Sequence, residues 1–371
     1  MSGGTFRPFL SPAMKRCYEV VGAWMKAAGM HVRIDAAGNL RAIRHGGNRV
    51  LILGSHLDTV RDAGGFDGIL GVILAIALVE NLDHPLPFDI EIIGFSEEEG
   101  VRFSIPFIGS RALVGTLDEQ TVCTIAPAIR EFGLDPAQIP AAKLTKLPLG
   151  FLEFHIEQGP ILESAGESVG IVDAIAGQTR ATVKFTGSAN HAGTTPMHLR
   201  RDALAGAAQW ISAVEFLAST TPHLVATNGK IELQPNVGNV IAAEVALSLD
   251  VRHSDDNVRE NACAALRESG NQIAEQRKLK LSWTETLQQK SVPLDQSLTR
   301  ALAAVAPAGT RRMTSGAGHD AMILAPYIPS AMLFLRSPGG ISHHPAENVL
   351  PEDVDLALSI GRRFIESMRE F

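Results

Sequence analysis

Imidazole and carboxylate groups recur together at a few places in this chain of 371 residues and 12 histidines. Gly54-Ser55-His56-Leu57-Asp58 follows the apolar run Val50–Leu53, and Asp67 comes shortly after it, inside Gly64-Gly65-Phe66-Asp67-Gly68. Glu97-Glu98-Glu99 follows a second predicted strand, 89–95, His155 follows a third, 150–154, and His343 lies in Gly339-Gly340-Ile341-Ser342-His343-His344-Pro345. Such ligands without cysteine suit Zn²⁺, Mn²⁺, Co²⁺ or Ni²⁺ in a water-bearing catalytic site. With one bridging carboxylate the set is enough for two ions, which together generate a hydroxide and polarise a carbonyl oxygen. A carboxylate that is not a ligand is then needed as general base, and adjacent glutamates can fill both roles. Asp58 is spaced to accept a hydrogen bond from the far ring nitrogen of a metal-bound His56. The glycines around Asp67 let the backbone carry its carboxylate close to a cation. A single histidine at a strand end is usually structural, and a glutamate run is usually a solvated face. The recurrence carries the weight. His31, His45, His84, His198, His223 and His253 lack such a context and read as surface or packing residues.

The elements that must position these groups are legible in outline. The run at 50–53 predicts a buried parallel strand, and in open α/β sheets ligands gather at carboxyl ends of strands. Ser11-Pro12 predicts the start of a helix over 11–29, 32–43 a hairpin, and the nearly all-apolar 68–80 a buried helix. Strands are expected at 89–95 and 150–154, with a helix near 118–130. From 178 to 288 the rhythm becomes β-α-β-β-α-β, with strands at 180–186, 224–233, 243–253 and 280–288 and helices at 202–219 and 256–277. This segment reads as an inserted second domain. The α/β pattern then resumes with a helix at 295–305, a glycine turn at 315–320, a strand at 330–336 and a final helix from 351. The expected fold class is α/β, with domain limits 1–177, 178–288 and 289–371.

Composition narrows the function classes. A net charge of −7 argues against general nucleic-acid binding, so an anionic substrate must be met by a local cationic site. Cys17, Cys123 and Cys263 show no paired spacing, which points away from disulfides and thiolate metal sites and toward a reducing cytoplasm. No apolar run reaches the length of a membrane span, and the N-terminus lacks a signal-peptide pattern.

GSHLDTV, GGFDGILGV, SEEEG, HIEQGP, NHAGTTPM, SGAGHDAM and GGISHHPAE, in this order, resemble the bimetallic amidohydrolases of the aminoacylase/carboxypeptidase clan. More narrowly they resemble allantoate amidohydrolases, N-carbamoyl-L-amino acid hydrolases and β-ureidopropionases. The resemblance implies a metal-binding catalytic α/β domain and an inserted lid domain that also makes a homodimer. It puts one ion on His56 and the other on His155, with Asp67 bridging and Glu99 and His343 completing the shells. Glu98 becomes the general base, with Glu97 the other option in the triplet, and Asp58 orients His56. His191 would donate a hydrogen bond to the carbonyl under attack, and Gln158 would contact the ureido group. Asn239 and Arg252 match the pair that binds the substrate carboxylate; the other reading of Arg252 is a surface salt bridge. Gly316 and Gly318 would offer N–H groups to the same carboxylate, with His319 beside them, and His319 and Asp320 would support the centre. Lid donors that meet core metals imply hinge closure near Ala176-Gly177 and Lys290.

The expected reaction is hydrolysis of a ureido or carbamoyl C–N bond in a carboxylate-bearing small molecule, releasing ammonia and CO2. Ser11-Pro12-Ala13, Gly177-Gln178-Thr179-Arg180 and Arg200-Arg201-Asp202 favour allantoate over N-carbamoyl-L-amino acids. A dimetal peptidase is disfavoured because HIEQGP replaces an acidic-ligand pattern, and a metal-free scaffold because no ligand or base is missing.

Overall fold

The structure, a computed structural model, describes residues 3–82 and 84–370. It divides into two compact units, one of Met1–Ile175 with Pro293–Phe371 and the other of Ala176–Val292. The first unit opens with α1 (Pro12–Ala27), where Ser11 Oγ accepts the Met14 N–H at 3.1 Å and Pro12 occupies the first turn. There follow β1 (His31–Ile34), β2 (Leu40–Arg44), β3 (Arg49–His56), α2 (Ile69–Glu80), β4 (Asp89–Phe95), α3 (Ile108–Val114), α4 (Glu119–Glu131), β5 (Leu147–Ile156), α5 (Ile161–Ala165) and β6 (Val169–Ile175). The second unit contains β7 (Gly177–Thr186), α6 (Ala203–Thr220), β8 (Val225–Thr227), β9 (Ile231–Gln234), β10 (Glu244–His253), α7 (Asp256–Gln276) and β11 (Lys280–Gln289). The chain passes back through β12 (Val292–Pro293) to α8 (Gln296–Val305), β13 (Arg311–Ser315), α9 (Asp320–Leu324), β14 (Ser330–Leu335) and α10 (Pro351–Ser367).

In the first unit the sheet runs β1-β2-β4-β3-β5-β14-β6, with β13 also alongside β6. Its centre is parallel: β4, β3, β5 and β14 point the same way, so their carboxyl ends lie along one edge. Every residue of β4 and β14 is buried, so β14 reads as a largely apolar run, while β4 also buries Asp89 and Glu91, the latter paired with Arg41. α2 is apolar on all sides because it packs on β3 and β5 and is covered by α10.

The second unit has a sheet ordered β11-β7-β10-β8, with β9 also on β10, and α6 and α7 pack on it around Trp210, Phe185 and Leu266. β10 alternates, sending Val245, Leu247, Leu249 and Val251 into the core and Asp250 and Arg252 to the other face. Its first and last strands are antiparallel neighbours: Gln178 stands opposite Gln289 and donates to it at 2.7 Å.

Some elements differ from the sequence expectation. The strand expected over 224–233 is two short ones, lying in turn against Arg252–Asp250 and Leu247–Glu244 of β10. In the gap the Asn228 side chain donates to the Ser248 carbonyl at 2.9 Å, taking the place of a main-chain partner. α3, β6 and β13 were not expected. β13 is a polar strand placed by ion pairs of Arg311 with Glu167 and Arg312 with Asp173, a signal no hydrophobic period reveals. Among the described residues no helix is long and apolar enough to cross a membrane, and all three cysteines are free thiols.

Candidate metal centre

Four adjacent parallel strands deliver the site. His56 is the last residue of β3, Glu97–Glu99 follow β4, His155 is the penultimate residue of β5, and His343 lies in the segment after β14. Asp67 sits just before α2, which starts at Gly68 with φ +68°. A Cβ at Gly68 would lie 2.5 Å from three atoms of the His56 ring, so glycine there lets the imidazole lie against the helix start.

The local hydrogen bonds fix the imidazole tautomers. His56 Nδ1 lies 3.0 Å from the Asp58 carbonyl oxygen and His155 Nδ1 lies 2.9 Å from that of Ile156. A carbonyl only accepts, so both rings carry hydrogen on Nδ1 and present a lone pair at Nε2. Those two Nε2 atoms are 3.4 Å apart, and Asp67 Oδ1 lies 3.3 Å from that of His155 and 3.9 Å from that of His56. Burial lowers His56 to about 4 against the pull of Asp67, so its ring is neutral. Three lone pairs thus converge in a buried space with no hydrogen among them, and a divalent cation is the species this donor set fits.

Asp67 Oδ2 looks the other way. His343 Nε2 lies 3.1 Å from it and 3.5 Å from Glu99 Oε1, a buried atom with no hydrogen-bond partner. His56, Asp67 and His155 form one group whose ligand atoms lie within 4.8 Å of one another, and Asp67, Glu99 and His343 form another. The resemblance divides His56 and His155 between two ions, whereas here both belong to one such group, and Glu99 and His343 meet Asp67 in the other. Burial would raise Asp67, but hydrogen bonding to His343 and the neighbouring imidazoles hold it well below the usual carboxylate range. The bond to Asp67 lifts His343 to about 9. His344 is exposed and its Nδ1 accepts the Ala346 N–H, which separates the two histidines of the pair.

The glutamate triplet sorts itself by contacts. Glu97 Oε1 accepts the N–H groups of Arg102 and Phe103 at 2.8 and 3.3 Å, which turns that carboxylate into its own loop. Glu98 groups with His56 and Glu99. Burial, then Glu99 and Asp320, push Glu98 well above the carboxylate range, while burial and Asp67 push Glu99 up to about 8. Asp58 does not act as expected. Its carboxylate stands 3.9 Å from His56 Nδ1 and instead accepts the Glu98 and Glu99 N–H groups, each at 3.1 Å. His56 is oriented by the Asp58 main chain, and the Asp58 carboxylate holds the loop that carries Glu98.

Gln158 Nε2 donates to both Asp67 oxygens and to Ser342 Oγ, between 3.1 and 3.3 Å, leaving a buried Oε1 with no partner. His319 is buried, bonds Ser315 Oγ through Nε2 at 2.8 Å and meets the His155 ring edge to face at 4.5 Å. In this position it supports His155. Asp320 is fully buried, and burial with Glu153 nearby raises it. A Cβ at Gly318 would come within 3.0 Å of the Phe107 ring, whereas at Gly316 it would meet open space. Two residues escaped the sequence reading. Glu153, on the same face of β5 as His155, accepts from Ser55 Oγ and the Ala321 N–H at 2.8 and 3.0 Å. Glu347 accepts the Phe66 and Asp67 N–H groups at 2.8 and 2.9 Å. A carboxylate inside an apolar strand was the available signal for Glu153; Glu347 offered none beyond its nearness to His343.

In the second unit His191 is exposed, and its Nδ1 accepts the Gly193 and Thr194 N–H groups at 3.1 and 3.2 Å. The ring hydrogen is therefore on Nε2. Asn239 lies on the facing loop, its carbonyl accepting the Ala192 N–H at 2.9 Å. Arg252 forks onto Asp250 at 2.7 and 2.9 Å, and Asp250 also takes Arg180. Arg252 stands near the end of β10, whereas Asn239 precedes its start, a separation of roughly 25 Å at ~3.3 Å per residue. Two of the three sequence features that favoured allantoate have local structural roles: Ser11 caps α1, and in Arg200-Arg201-Asp202 the aspartate caps α6 while Arg200 ties down the His191 loop.

Imidazole and carboxylate at the carboxyl ends of parallel strands, in a chain interrupted by a separate unit of five strands and two helices, define an α/β fold with two adjoining groups that could hold metal ions. The chain belongs to peptidase family M20/M25/M40, whose family model matches residues 52–367, and enzymes of this family are metal-dependent. It is 38% identical over 374 residues to an N-carbamoyl-L-amino acid amidohydrolase of Geobacillus stearothermophilus, covering 95% of this chain and 90% of that one. It is 36% identical over 409 residues to an allantoate deiminase of Arabidopsis thaliana, covering 97% and 78%. An amidase of the hydantoinase/carbamoylase family from Burkholderia multivorans superposes with a TM-score of 0.92 at 30% identity, covering 99% and 93%.

Proposed function

We propose that the protein is a binuclear amidohydrolase that cleaves a ureido C–N bond of allantoate, releasing ammonia and CO2. The observation that carries the metal half is the convergence of His56 Nε2, His155 Nε2 and Asp67 Oδ1 without a hydrogen between them. Relatives named for ureido and carbamoyl substrates support the reaction class. In this reading His56, His155 and Asp67 hold one ion, and Asp67, Glu99 and His343 hold the other, with Zn²⁺ or Mn²⁺ the leading candidates and Co²⁺ or Ni²⁺ also suited. Such ions supply Lewis acidity and a hydroxide at neutral pH. Glu98, held in place through its N–H by Asp58, takes the proton from the attacking water and passes it to the leaving nitrogen. His191, with hydrogen on Nε2, donates to the carbonyl oxygen as charge develops, a contribution of about 3 kcal/mol for one such donor. Gln158 Oε1 accepts from the ureido amino group. Asn239, Arg252 and the main chain at Gly316 and Gly318 receive the carboxylate.

Asn239 and Arg252 lie at opposite ends of β10, so one copy of the second unit does not bring both to one small molecule. We therefore propose a homodimer through this unit, with the two residues at each site drawn from different copies. Exposed Val225 and Ile231 on its short strands, and Phe216 on α6, suit burial in such an interface. Free thiols throughout fit a reducing cytoplasm.

The test is ammonia release by Mn²⁺-reconstituted protein on allantoate beside a panel of N-carbamoyl-L-amino acids. Strongest turnover on allantoate supports the narrow reading. The identity to the Geobacillus enzyme favours a second reading, N-carbamoyl-L-amino acid hydrolysis, which turnover on that panel alone would select. Silence on both with two ions bound overturns the substrate class.

A further inference from the structure

Glu347 is 4% exposed and carries a carboxylate. Its Oε1 accepts two consecutive N–H groups, those of Phe66 and Asp67, at 2.8 and 2.9 Å. Its Oε2 accepts Ser342 Oγ at 3.3 Å, and Ser342 Oγ receives the Gln158 amide at 3.2 Å. One side chain thus ties together the main chain of Asp67, the residue next to His343, and the amide that bonds Asp67. The approach is close enough to dictate sequence elsewhere, since a Cβ on Gly64 would fall 2.3 Å from Glu347 Cβ. Consecutive N–H groups bound to a carboxylate make a charge-assisted anchor, stronger than neutral hydrogen bonds.

We infer that Glu347 is a positioning residue that sets where the Asp67 carboxylate stands between the two ligand groups, and that it acts most on the group Asp67, Glu99 and His343. The selectivity follows from what each group has besides Asp67. His56 and His155 end rigid strands and have main-chain carbonyls fixing their rings. His343 lies in a loop after β14, with 47% of its side chain exposed, and reaches the centre beside the segment that Ser342 and Glu347 hold. Removing the anchor therefore frees one ligand group and leaves the other standing. This rests on the binuclear reading above.

The experiment compares Mn²⁺-loaded wild type, Glu347→Ala and Glu347→Gln, measuring ions per chain across graded chelator together with unfolding temperature, kcat and KM. In Glu347→Ala one ion should leave at a chelator concentration at least tenfold lower than in wild type while the other stays, and kcat should fall at least tenfold. Glu347→Gln keeps an oxygen for both N–H groups, so it should hold both ions within about threefold of wild type. Both ions held normally by Glu347→Ala, or both lost together with a fall in unfolding temperature, overturns the inference. A wild type that binds no ion overturns the binuclear reading instead. Should Glu347→Ala not fold, Ser342→Ala decides, because it removes the link to Glu347 while the Phe66 and Asp67 N–H groups stay bonded. One ion should then leave at a chelator concentration at least threefold lower than in wild type while the other stays, and unchanged retention of both overturns the inference.

Discussion

Asp58 and Glu347 each commit a buried carboxylate to two main-chain N–H groups, those of Glu98 and Glu99 in one case and of Phe66 and Asp67 in the other, so each holds at least one residue whose own carboxylate faces the centre. The division of labour separates Glu98 from its neighbours and makes the register of the triplet testable. Glu98→Gln should lower kcat at least a hundredfold with both ions retained, measured by ammonia release and metal content. Glu97→Gln should leave kcat near wild type and lower the unfolding temperature, because its carboxylate accepts the main-chain N–H groups of Arg102 and Phe103. With no ion bound, burial and Asp67 push Glu99 up to about 8, which favours its protonated form at neutral pH. Metal binding at pH 7 should therefore release protons, and affinity should rise as pH increases toward 8. Calorimetry in buffers of different ionisation enthalpy would show this as a buffer-dependent heat, and equal heats would refute it. Residue types and spacing singled out His56, Asp67, the triplet Glu97–Glu99, His155 and His343 as candidates, and the structure gathers their side chains except that of Glu97. They did not reveal which lone pairs share a space, because that depends on carbonyl oxygens outside any motif. Glu347 was hidden for the same reason: it touches main chain, and main chain has no sequence.

Elements with a largely apolar signature were read within a few residues. α2 and β4 owe this to burial on all sides, and α4 was placed near its true span even with Pro127 inside it. β13 and the break between β8 and β9 were not legible, since ion pairs in one case and an asparagine side chain in the other decide the backbone path. The start of α2 offers the sharpest test at this scale. Gly68→Ala puts a methyl against the His56 ring and a side chain at positive φ. Stability should drop by about 1–3 kcal/mol in chemical denaturation, and affinity for the ion held by His56 and His155 should fall. Unchanged metal affinity would show that the ring does not need this seat.

For the molecule as a whole, the proposed dimer predicts a result that single variants do not give. Glu98→Gln disables the first unit and His191→Ala the second. If the two units that build one site come from different copies, a mixed dimer carries one intact site and one doubly broken site. Co-expression of the two variants should then restore about a quarter of wild-type activity for random pairing in a twofold dimer. If both come from the same copy, mixing restores nothing. Sedimentation of the mixture checks that mixed dimers form.

The pairing of Gln178 with Gln289 has an evolutionary reading. Because β7 and β11 run side by side, the chain leaves the second unit next to where it came in. A host fold can accept such a module across a gap hardly wider than a hairpin turn, and closing that gap costs little chain entropy. The segment 176–292 is in this sense a graft with a single stem. Expressed alone it should fold and show a cooperative melt, while the remainder, joined across residues 175 and 293 by a short glycine-serine bridge, should keep its ions and lose its turnover.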